Sequence, residues 1–504
     1  MAFRAGAAAT NVDPPLGLPM VGVVRRHEPA RERLGPLEVT AAAFERDSVR
    51  VVLCGVDTLA IQSPEADAIR ERIAEATGAA RAGILLNWNH THHAPPGGRS
   101  VYGSFGERDP EPDAATLEYV ESLHRAIVET CSRAFEQLEP ASVRWGLGTA
   151  ALAVNRRQRD DDGKVRKIGW NPHGLVDRSV PVLQSVREDG SAIATVVGYG
   201  AHTVTTGVEY PGYSPDYPGW LRETIRSFTG GECVYLQGAA GNVMPLVGFD
   251  DDLRSPAETG RRLALEALHA IADRPSWPER LVQTGFGSAT PLDLFRFERI
   301  DGDEPALAAA DVEVDFPLQP LPSPDEVAAE LEDAERALAE AEAAGASEAE
   351  LRILRFHGAS WARRAEAEIA GGSPRRTVRG PVCAIRIGDA AIVSGPGEIF
   401  TEIGLAVKER SPADVTFYAG YSNGCISYMP TAAEYPLGGY EPTYGHKTYG
   451  LPAQVSPETE RLLVETGTRL AVSLFPEREA PHVEGWLATG ALPKPPTPPP
   501  LVRP

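Results

Sequence analysis

The chain alternates short apolar runs with amphipathic segments, and this alternation limits its fold more than any other feature. Residues 51–56, VVLCGV, form one such run, which is typical of a buried strand. Similar runs lie at residues 84–88, 192–199 and 233–236. Segments with apolar side chains at helical spacing lie at residues 65–77, 113–138 and 256–271. Strands that alternate with helices in this way predict an α/β fold, a layered domain built on a mixed β-sheet.

Residues 323–371 depart from this pattern because they are rich in alanine and glutamate. The sequence Ser323-Pro-Asp-Glu is a capping box with proline at the first helical position, which predicts the start of a helix. Gly345 interrupts the helical spacing, and Ser347 can cap a second helix. We therefore predict a helical hairpin inserted into the α/β domain. Its charges predict a solvated face, and a partner or dimer surface is the alternative.

Strand-like runs resume after the hairpin, at residues 382–387 and 390–394. We predict one large domain over residues 1–475 that contains the hairpin, and a C-terminal extension over residues 476–504. The extension ends in a proline-rich stretch, which is typical of extended chain. We find no internal sequence repeat. The five cysteines lie far apart and predict buried free thiols.

The net charge excludes several classes of partner. Lysine and arginine number 49, aspartate and glutamate number 70, and the formal net charge is −21. A nucleic-acid surface needs a basic stripe, which the sequence lacks, and anionic membrane surfaces are disfavoured for the same reason. No run approaches the roughly 20 apolar residues of an integral membrane span. The first residues lack the apolar core of a secretory signal, so we predict a cytoplasmic protein.

The richest candidate chemistry is a histidine cluster that follows the apolar run at residues 84–88. Residues 89–98 read NHTHHAPPGG and contain His90, His92 and His93. In an extended H-x-H segment both imidazoles point to the same side, because side chains alternate between two faces. Neutral imidazole is the commonest metal ligand in proteins. The cluster therefore favours a metal site over a merely polar surface loop.

Two other residues can complete such a site. His202 stands at the end of an apolar run, where a lone histidine is usually a hydrogen-bonded core residue. Glu398 follows a glycine-proline turn at the start of a predicted helix, where its charge also suits the helix dipole. Two histidines and a glutamate nevertheless form a suitable zinc set with one position left for water.

A series of motifs now gives the chain a family resemblance. It resembles the N-terminal catalytic domain of the neutral/alkaline, non-lysosomal ceramidases, from Phe3 to about Tyr449, with a break at the helical hairpin. The motifs occur in the order of the family: FRAG to PMVG (3–22), NHTHHAPPGG (89–98), NR (155–156), GAH (200–202), PDYPG (215–219), GAAGNVMP (238–245), GE (397–398) and YMPTAAEY (428–435). Each motif is weak alone, but eight in order are specific to the superfamily.

The resemblance implies one zinc ion, held by His90, His202, Glu398 and Tyr428. It implies that His92, the second histidine of the H-T-H motif, lies beside the substrate. Further residues of the implied pocket are Arg156, Gly22, Tyr435 and Tyr440. Two of these residues have simpler interpretations. Tyr428 can be an ordinary half-buried strand aromatic, and Arg156 can belong to a basic surface cluster with Arg157 and Arg159.

The chemistry implied by the resemblance is amide hydrolysis by zinc-activated water, with a small or lipid-like N-acyl amide as substrate, as in sphingolipid metabolism. His92 would stabilise the oxyanion or carry a proton to the leaving amine, and Arg156 would hold a carbonyl or anionic group. The chain departs from the family at Met244, where well-studied members have a serine. A thioether cannot supply a proton, so either the water suffices or this branch does different chemistry. A homo-oligomer is left open.

Two other functions compete with zinc-dependent hydrolysis. Residues 420–424 read GYSNG and fit the nucleophile elbow of a serine hydrolase, with Ser422 as nucleophile. That elbow needs a helix directly after the serine, and the following residues are strand-like and then reach a proline. The second alternative is a catalytically inactive binding module on the same fold, in which the hairpin is the working surface.

Overall fold

The computed structural model describes residues 2–99, 113–272, 274, 279–286, 293–299, 304–372 and 374–478, so most of the predicted C-terminal extension lies outside the described residues. The strands in these ranges are β1 Arg4–Asn11, β2 Glu32–Arg33, β3 Glu38–Arg46, β4 Val49–Val56, β5 Ile84–Trp88, β6 Glu139–Pro140, β7 Ser142–Thr149, β8 Ala153–Arg159, β9 Val165–Asn171, β10 Ser179–Val186, β11 Ala192–Tyr199, β12 Gly212–Tyr213, β13 Glu232–Gln237, β14 Val243–Pro245, β15 Glu279–Phe286, β16 Asp293–Arg299, β17 Leu307–Pro317, β18 Thr377–Ile387, β19 Ala390–Ser394, β20 Glu398–Ile399, β21 Val415–Ala419 and β22 Tyr428–Met429. The α-helices are α1 Ser63–Thr77, α2 Ala114–Glu136, α3 Tyr217–Thr229, α4 Arg254–Ala272, α5 Pro324–Ala343, α6 Glu348–Leu354, α7 Trp361–Ala370, α8 Thr401–Arg410, α9 Tyr440–Thr443, α10 Gly445–Thr448 and α11 Glu458–Ser473.

Three sheets of the protein share one connectivity. The first runs β1-β3-β4-β5 in sequence, the second β7-β10-β11-β13 and the third β17-β18-β19-β21, with the short β6 added to the first. In each sheet the last two strands are parallel. The earlier neighbours are antiparallel. The predicted α/β fold with mixed sheets is confirmed, and the structure adds a threefold repetition that the sequence does not show.

Each sheet carries two helices that follow from its connectivity. Parallel neighbours cannot be joined by a tight turn, so a crossover helix joins them. These crossover helices are α1, α3 and α8, and each packs on a later helix, α2, α4 or α11 respectively. None of the helices in the described part of the chain combines the length and the apolar composition needed to cross a bilayer.

The inner faces of the three sheets meet in one apolar cluster, which we call the central core. It includes Val51 and Leu53 of β4, Val196 of β11 and Ile392 of β19. Neighbouring positions such as Val52 point the other way and pack under the helices. Strands buried on both faces are apolar at every position, which explains the continuous runs in the sequence.

Each sheet has an insertion between its first and second strands. We call them the first-sheet loop (residues 12–37), the second-sheet hairpin (150–178, with β8 and β9) and the helical insert (323–371). The first strand runs in the same direction as the two parallel strands, because two antiparallel steps separate it from them. All three insertions therefore leave their sheets at the edge where the parallel strands end.

The helical insert is confirmed as a hairpin. Its first arm is α5, and its second arm continues from α6 through a π-helical segment, Arg355–Ser360, into α7. Both arms begin with a complete capping box, at Ser323 and at Ser347. Val327, Trp361, Ala362 and Ala365 pack the arms together. Glutamates of α5 such as Glu335 are exposed, as a solvated face requires.

A buried ion pair fixes the end of β4 in the first sheet to α3 of the second. Arg222 donates to both oxygens of Asp57, which is fully buried, and also to Glu38 at 3.0 Å. Asp57 in turn accepts from the side-chain amide of Asn89 at 2.7 Å. This pair therefore connects the packing of two sheets to the histidine segment.

We expect Arg222→Ala to lower the free energy of unfolding by about 3–5 kcal/mol, because it leaves the Asp57 carboxylate buried without its cation. Urea unfolding followed by circular dichroism measures the loss. The control is Arg226→Ala, which removes a partly exposed arginine from Glu38 and Glu232 and should cost about 1 kcal/mol or less. Equal losses in the two variants would contradict the assigned role of the Asp57 pair.

Candidate metal centre

Three imidazole rings meet where the parallel strands of the sheets end. His90 and His92 follow β5, and His202 follows β11. One ligand nitrogen from each ring lies within 4.8 Å of the other two. The ring centroids of His90 and His202 are 4.8 Å apart, and those of His90 and His92 are 5.0 Å apart. His90 and His202 are buried, whereas His92 is partly exposed.

The hydrogen bonds of the rings determine where their lone pairs point. Nδ1 of His90 lies 2.7 Å from the carbonyl oxygen of Leu59, and Nδ1 of His202 lies 2.8 Å from that of Ala240. Nδ1 of His92 lies 3.0 Å from the carbonyl of Gly22. A carbonyl only accepts, so each Nδ1 carries a hydrogen, and each Nε2 offers a lone pair when its ring is neutral. This is the usual hydrogen bonding of histidines that bind metals.

Glu398 faces the Nε2 atoms of His90 and His202. Its Oε2 lies 3.4 Å from Nε2 of His90 and 3.2 Å from Nε2 of His202. Among the residues that the structure describes, Nε2 of His202 and Nε2 of His92 have no hydrogen-bond partner. Tyr428 is the register partner of Glu398 in the parallel pairing of β20 with β22. The structure thus brings together the three predicted nitrogen and carboxylate ligands and sets Tyr428 beside them.

The environment keeps these groups in the charge states that a metal needs. Burial lowers the pKa of His202 to about 4, and Arg156 adds to the effect. Burial, with His90 and His202, lowers the pKa of His92 well below its usual value. Burial acts to raise the pKa of Glu398, but His90 and His202 outweigh it and hold this pKa well below its usual range. At neutral pH, His202 and His92 are therefore neutral and Glu398 is ionised.

Two tyrosines that the sequence analysis missed contact the carboxylate. Tyr449 donates to Oε1 of Glu398, and the hydroxyl of Tyr421 lies 3.4 Å from Oε2. The ring of Tyr421 also lies 4.5 Å from that of His90, between centroids. Tyr421 follows β21 with a positive φ of 49°. Its place after a strand of the third sheet is the one signal that could have indicated it.

The histidine segment is irregular rather than extended. His90 has a φ of 66°, in the left-handed region that non-glycine residues rarely adopt. Its backbone N–H donates to the carbonyl of Thr58 at 3.0 Å. His90 and His92 do share a side, as predicted, but the turn at His90 produces this and not the alternation of a strand. His93 points elsewhere, with Nδ1 lying 3.1 Å from the carbonyl oxygen of Gly212.

Gly22 lies against the ring of His92, as the predicted pocket requires. Its φ is 97°, and a Cβ atom there would lie 2.7 Å from Cγ of the imidazole. Only glycine therefore allows the first-sheet loop to approach His92 closely enough for the carbonyl of Gly22 to accept from Nδ1.

Arg156 lies inside the protein beside Tyr428. Its Nε donates to Glu441 at 2.9 Å, and a terminal nitrogen donates to the Tyr428 hydroxyl at 3.3 Å. Arg157, the next residue, binds the second oxygen of Glu441 and is also buried. The alternative of a basic surface cluster is wrong for these two arginines. The half-buried interpretation of Tyr428 is wrong as well, since only 5% of this residue is exposed.

The two other tyrosines of the predicted pocket differ in position. The ring of Tyr440 packs edge-on against Tyr428, with centroids 5.3 Å apart. Tyr435 instead donates to the backbone carbonyl of Val455 at 2.8 Å, a bond that holds the chain near residue 455. The structure therefore supports Tyr440 more directly than Tyr435 as a residue of the pocket.

Ser422 lacks the surroundings of a nucleophile elbow. It is fully buried, donates to the carbonyl of Gly420 at 2.8 Å and accepts from the Asn87 amide at 3.0 Å. No helix follows it in this described part of the chain, where residues 423–427 are irregular and β22 comes next. The strand–turn–helix geometry of serine hydrolases is therefore missing here.

The ionisation of the Glu402 carboxyl group makes the stability of the fold depend on pH. The side-chain amide of Asn242 donates to Oε2 of Glu402 at 2.8 Å, and the backbone carbonyl of Asn242 accepts from the backbone N–H of Arg156. Burial raises the pKa of Glu402 to about 7. The unfolded value is about 4.3, so the carboxyl stabilises the fold fully below about pH 4 and loses that contribution as pH rises to about 7.

We expect Glu402→Gln to remove this loss of stability with rising pH, because glutamine keeps an acceptor for Asn242 and never ionises. The free energy of unfolding of the variant should rise relative to the wild type between about pH 4 and pH 7 and then stay constant. Urea unfolding at several pH values measures the difference. Glu409→Gln, at an exposed position of the same helix, controls for the change of charge. A pH-independent difference for Glu402→Gln would refute the raised pKa.

No protein-family model matches the chain, and no curated protein matches it. Among solved structures, neutral ceramidase from Pseudomonas aeruginosa matches with a TM-score of 0.65 and 17% identity, over 95% of this chain and 75% of that one. A ceramidase complexed with C2 matches with a TM-score of 0.65 and 16% identity, over 95% and 76%. The chain therefore has the fold of the neutral ceramidases.

Proposed function

We propose that the chain is a zinc-dependent hydrolase that cleaves a linear N-acyl amide with metal-activated water. The observation that carries this proposal is the set of three imidazoles whose Nδ1 hydrogens are bonded to carbonyls, which leaves the Nε2 atoms for a metal or a proton, two of them beside Glu398. The shared fold with the neutral ceramidases supports an amide, of small or lipid-like character, as the substrate class.

His90, His202 and Glu398 would hold the zinc ion, and Tyr428 would complete the set. The separations of 3.4 and 3.2 Å between Oε2 and the two Nε2 atoms suit adjacent ligands of one metal with bonds of about 2.0 Å. When bound, the zinc ion supplies Lewis acidity and lowers the pKa of a water molecule to about 7.

His92 would move the proton. Its Nδ1 donates to the Gly22 carbonyl, so Nε2 is free to accept a proton during attack and return it to the departing amine. Arg156 donates to the oxygen of the Tyr428 hydroxyl and would hold that ligand in place beside the metal. Met244 offers no hydroxyl where ceramidases have a serine, so the proposal assigns the nucleophile to water.

The first expected outcome concerns metal content. Purified protein should contain about one zinc ion per chain by elemental mass spectrometry. His90→Ala and His202→Ala should each lose it while remaining folded, because each removes one ligand of the set. His173→Ala, at an exposed histidine, is the control and should keep the metal. A wild-type protein that stays free of metal after zinc is offered would refute the zinc site.

The second expected outcome concerns the reaction. A screen of N-acyl amides with different chain lengths should identify a substrate, and His92→Gln should lower kcat on it by about 100-fold or more with zinc content unchanged. Ser422→Ala should retain activity, since that hydroxyl is hydrogen-bonded to Gly420 and Asn87 inside the protein.

The two variants also separate the alternatives. Loss of activity in Ser422→Ala together with normal activity in His92→Gln would favour a serine hydrolase. A chain that binds zinc but cleaves no amide in the screen would favour the inactive binding module.

A further inference from the structure

The helical insert occupies the third of three equivalent positions around the site. The first-sheet loop carries Gly22, which touches His92, and the second-sheet hairpin carries Arg156, which touches Tyr428. Each insertion leaves its sheet at the edge where the histidines and Glu398 lie. The topology therefore directs the helical insert toward the same site.

Contacts from the insert reach the supports of both His90 and His92. Phe356, of which 3% is exposed, packs with Val21 and Leu59 in one apolar cluster. Val21 precedes Gly22, whose carbonyl accepts from His92, and the Leu59 carbonyl accepts from His90. The Nε of Arg352 donates to the carbonyl of Val24 at 3.3 Å, farther along the same loop.

A second group of contacts reaches the carboxylate side through residues 445–451. The indole N–H of Trp361 donates to the carbonyl of Leu451 at 2.8 Å. The ammonium group of Lys447 lies 4.1 Å from the centroid of the Trp361 ring and binds Glu330 of the insert. The same segment contains Tyr449, which donates to Glu398, and Gly445, where a Cβ atom would lie 2.4 Å from the Tyr428 ring.

We propose that the helical insert is a positioning element for the reaction, with Phe356 as its principal residue. Phe356 holds Val21 and Leu59, and thereby fixes the Gly22 carbonyl that orients His92. In the same way, Trp361 holds residues 445–451, the segment that supports Glu398 and Tyr428. Phe356 lies in the π-helical segment, a local irregularity that is often found at functional sites. This inference rests on the proposed function, because it assigns a purpose to the orientation of His92.

The test compares Phe356→Ala with Val327→Ala, a truncation inside the insert. Val327 packs with Trp361, Ala362 and Ala365 of the insert, so its loss loosens the insert and the Trp361 side of it without touching the first-sheet loop. Phe356→Ala should keep about one zinc ion per chain and lower kcat about 10–100-fold, since small misplacements of a reacting group have effects of this size. Phe356→Leu, which refills most of the space, should restore most of the kcat.

Hydrogen–deuterium exchange supplies a readout that does not depend on activity. Backbone exchange over residues 18–26 should rise in Phe356→Ala and stay at the wild-type level in Val327→Ala. Unchanged exchange or unchanged kcat in Phe356→Ala would each overturn the inference, and so would an equal rise of exchange over residues 18–26 in Val327→Ala. Absence of zinc or of amidase activity in the wild type would instead overturn the proposed function, and the exchange result would still decide whether Phe356 holds the loop.

Discussion

Three hydrogen bonds from histidine Nδ1 atoms to backbone carbonyls are the interactions on which the candidate site depends. The accepting carbonyls belong to Leu59, Gly22 and Ala240, which lie in three separate loops. These loops follow strands of two different sheets, and the facing Glu398 follows β19 of the third. The lone pairs therefore converge only after the sheets have packed around the central core. Burial of apolar surface, at about 25 cal/mol per Å², supplies the free energy that holds this arrangement.

Features governed by neighbouring residues were predictable from the sequence. The helix predicted over residues 113–138 is α2, Ala114–Glu136, and the side chain of Asp113 caps it. The capping box at Ser323 likewise gave the start of the helical insert correctly. Caps and apolar runs act over a few residues, so their physics can be read locally. His90, His202 and Glu398 were predicted to share a site because metal ligands are restricted to a few side chains and the family motifs indicated which ones, and the structure brings them side by side.

Features that depend on distant pairing were not predictable. The threefold connectivity consists of strand pairings, and the three units have no matching sequence that would reveal it. Arg156 was assigned to a pocket, but its partner Glu441 is 285 residues away in sequence. Tyr449 carries no motif, and its contact with Glu398 arises from the fold of α10 and the turn after it. His90 and His92 were predicted to point to the same side because they would lie in an extended strand. In the structure they do so because His90 has a positive φ.

The same buried arrangement also suits the metal ion of the proposed function. Glu398 is 1% exposed and ionised, and tyrosine hydroxyls supply hydrogen bonds but no positive charge. Arg156, a cation of the same pocket, donates to Glu441 and Tyr428. His202, with a pKa of about 4, is neutral at pH 7. In the proposed function, a divalent cation would add positive charge beside the buried carboxylate and, because it binds the folded state, would stabilise the fold. In the proposed function, metal binding is thereby coupled to the packing of all three sheets, because each contributes a ligand or its support.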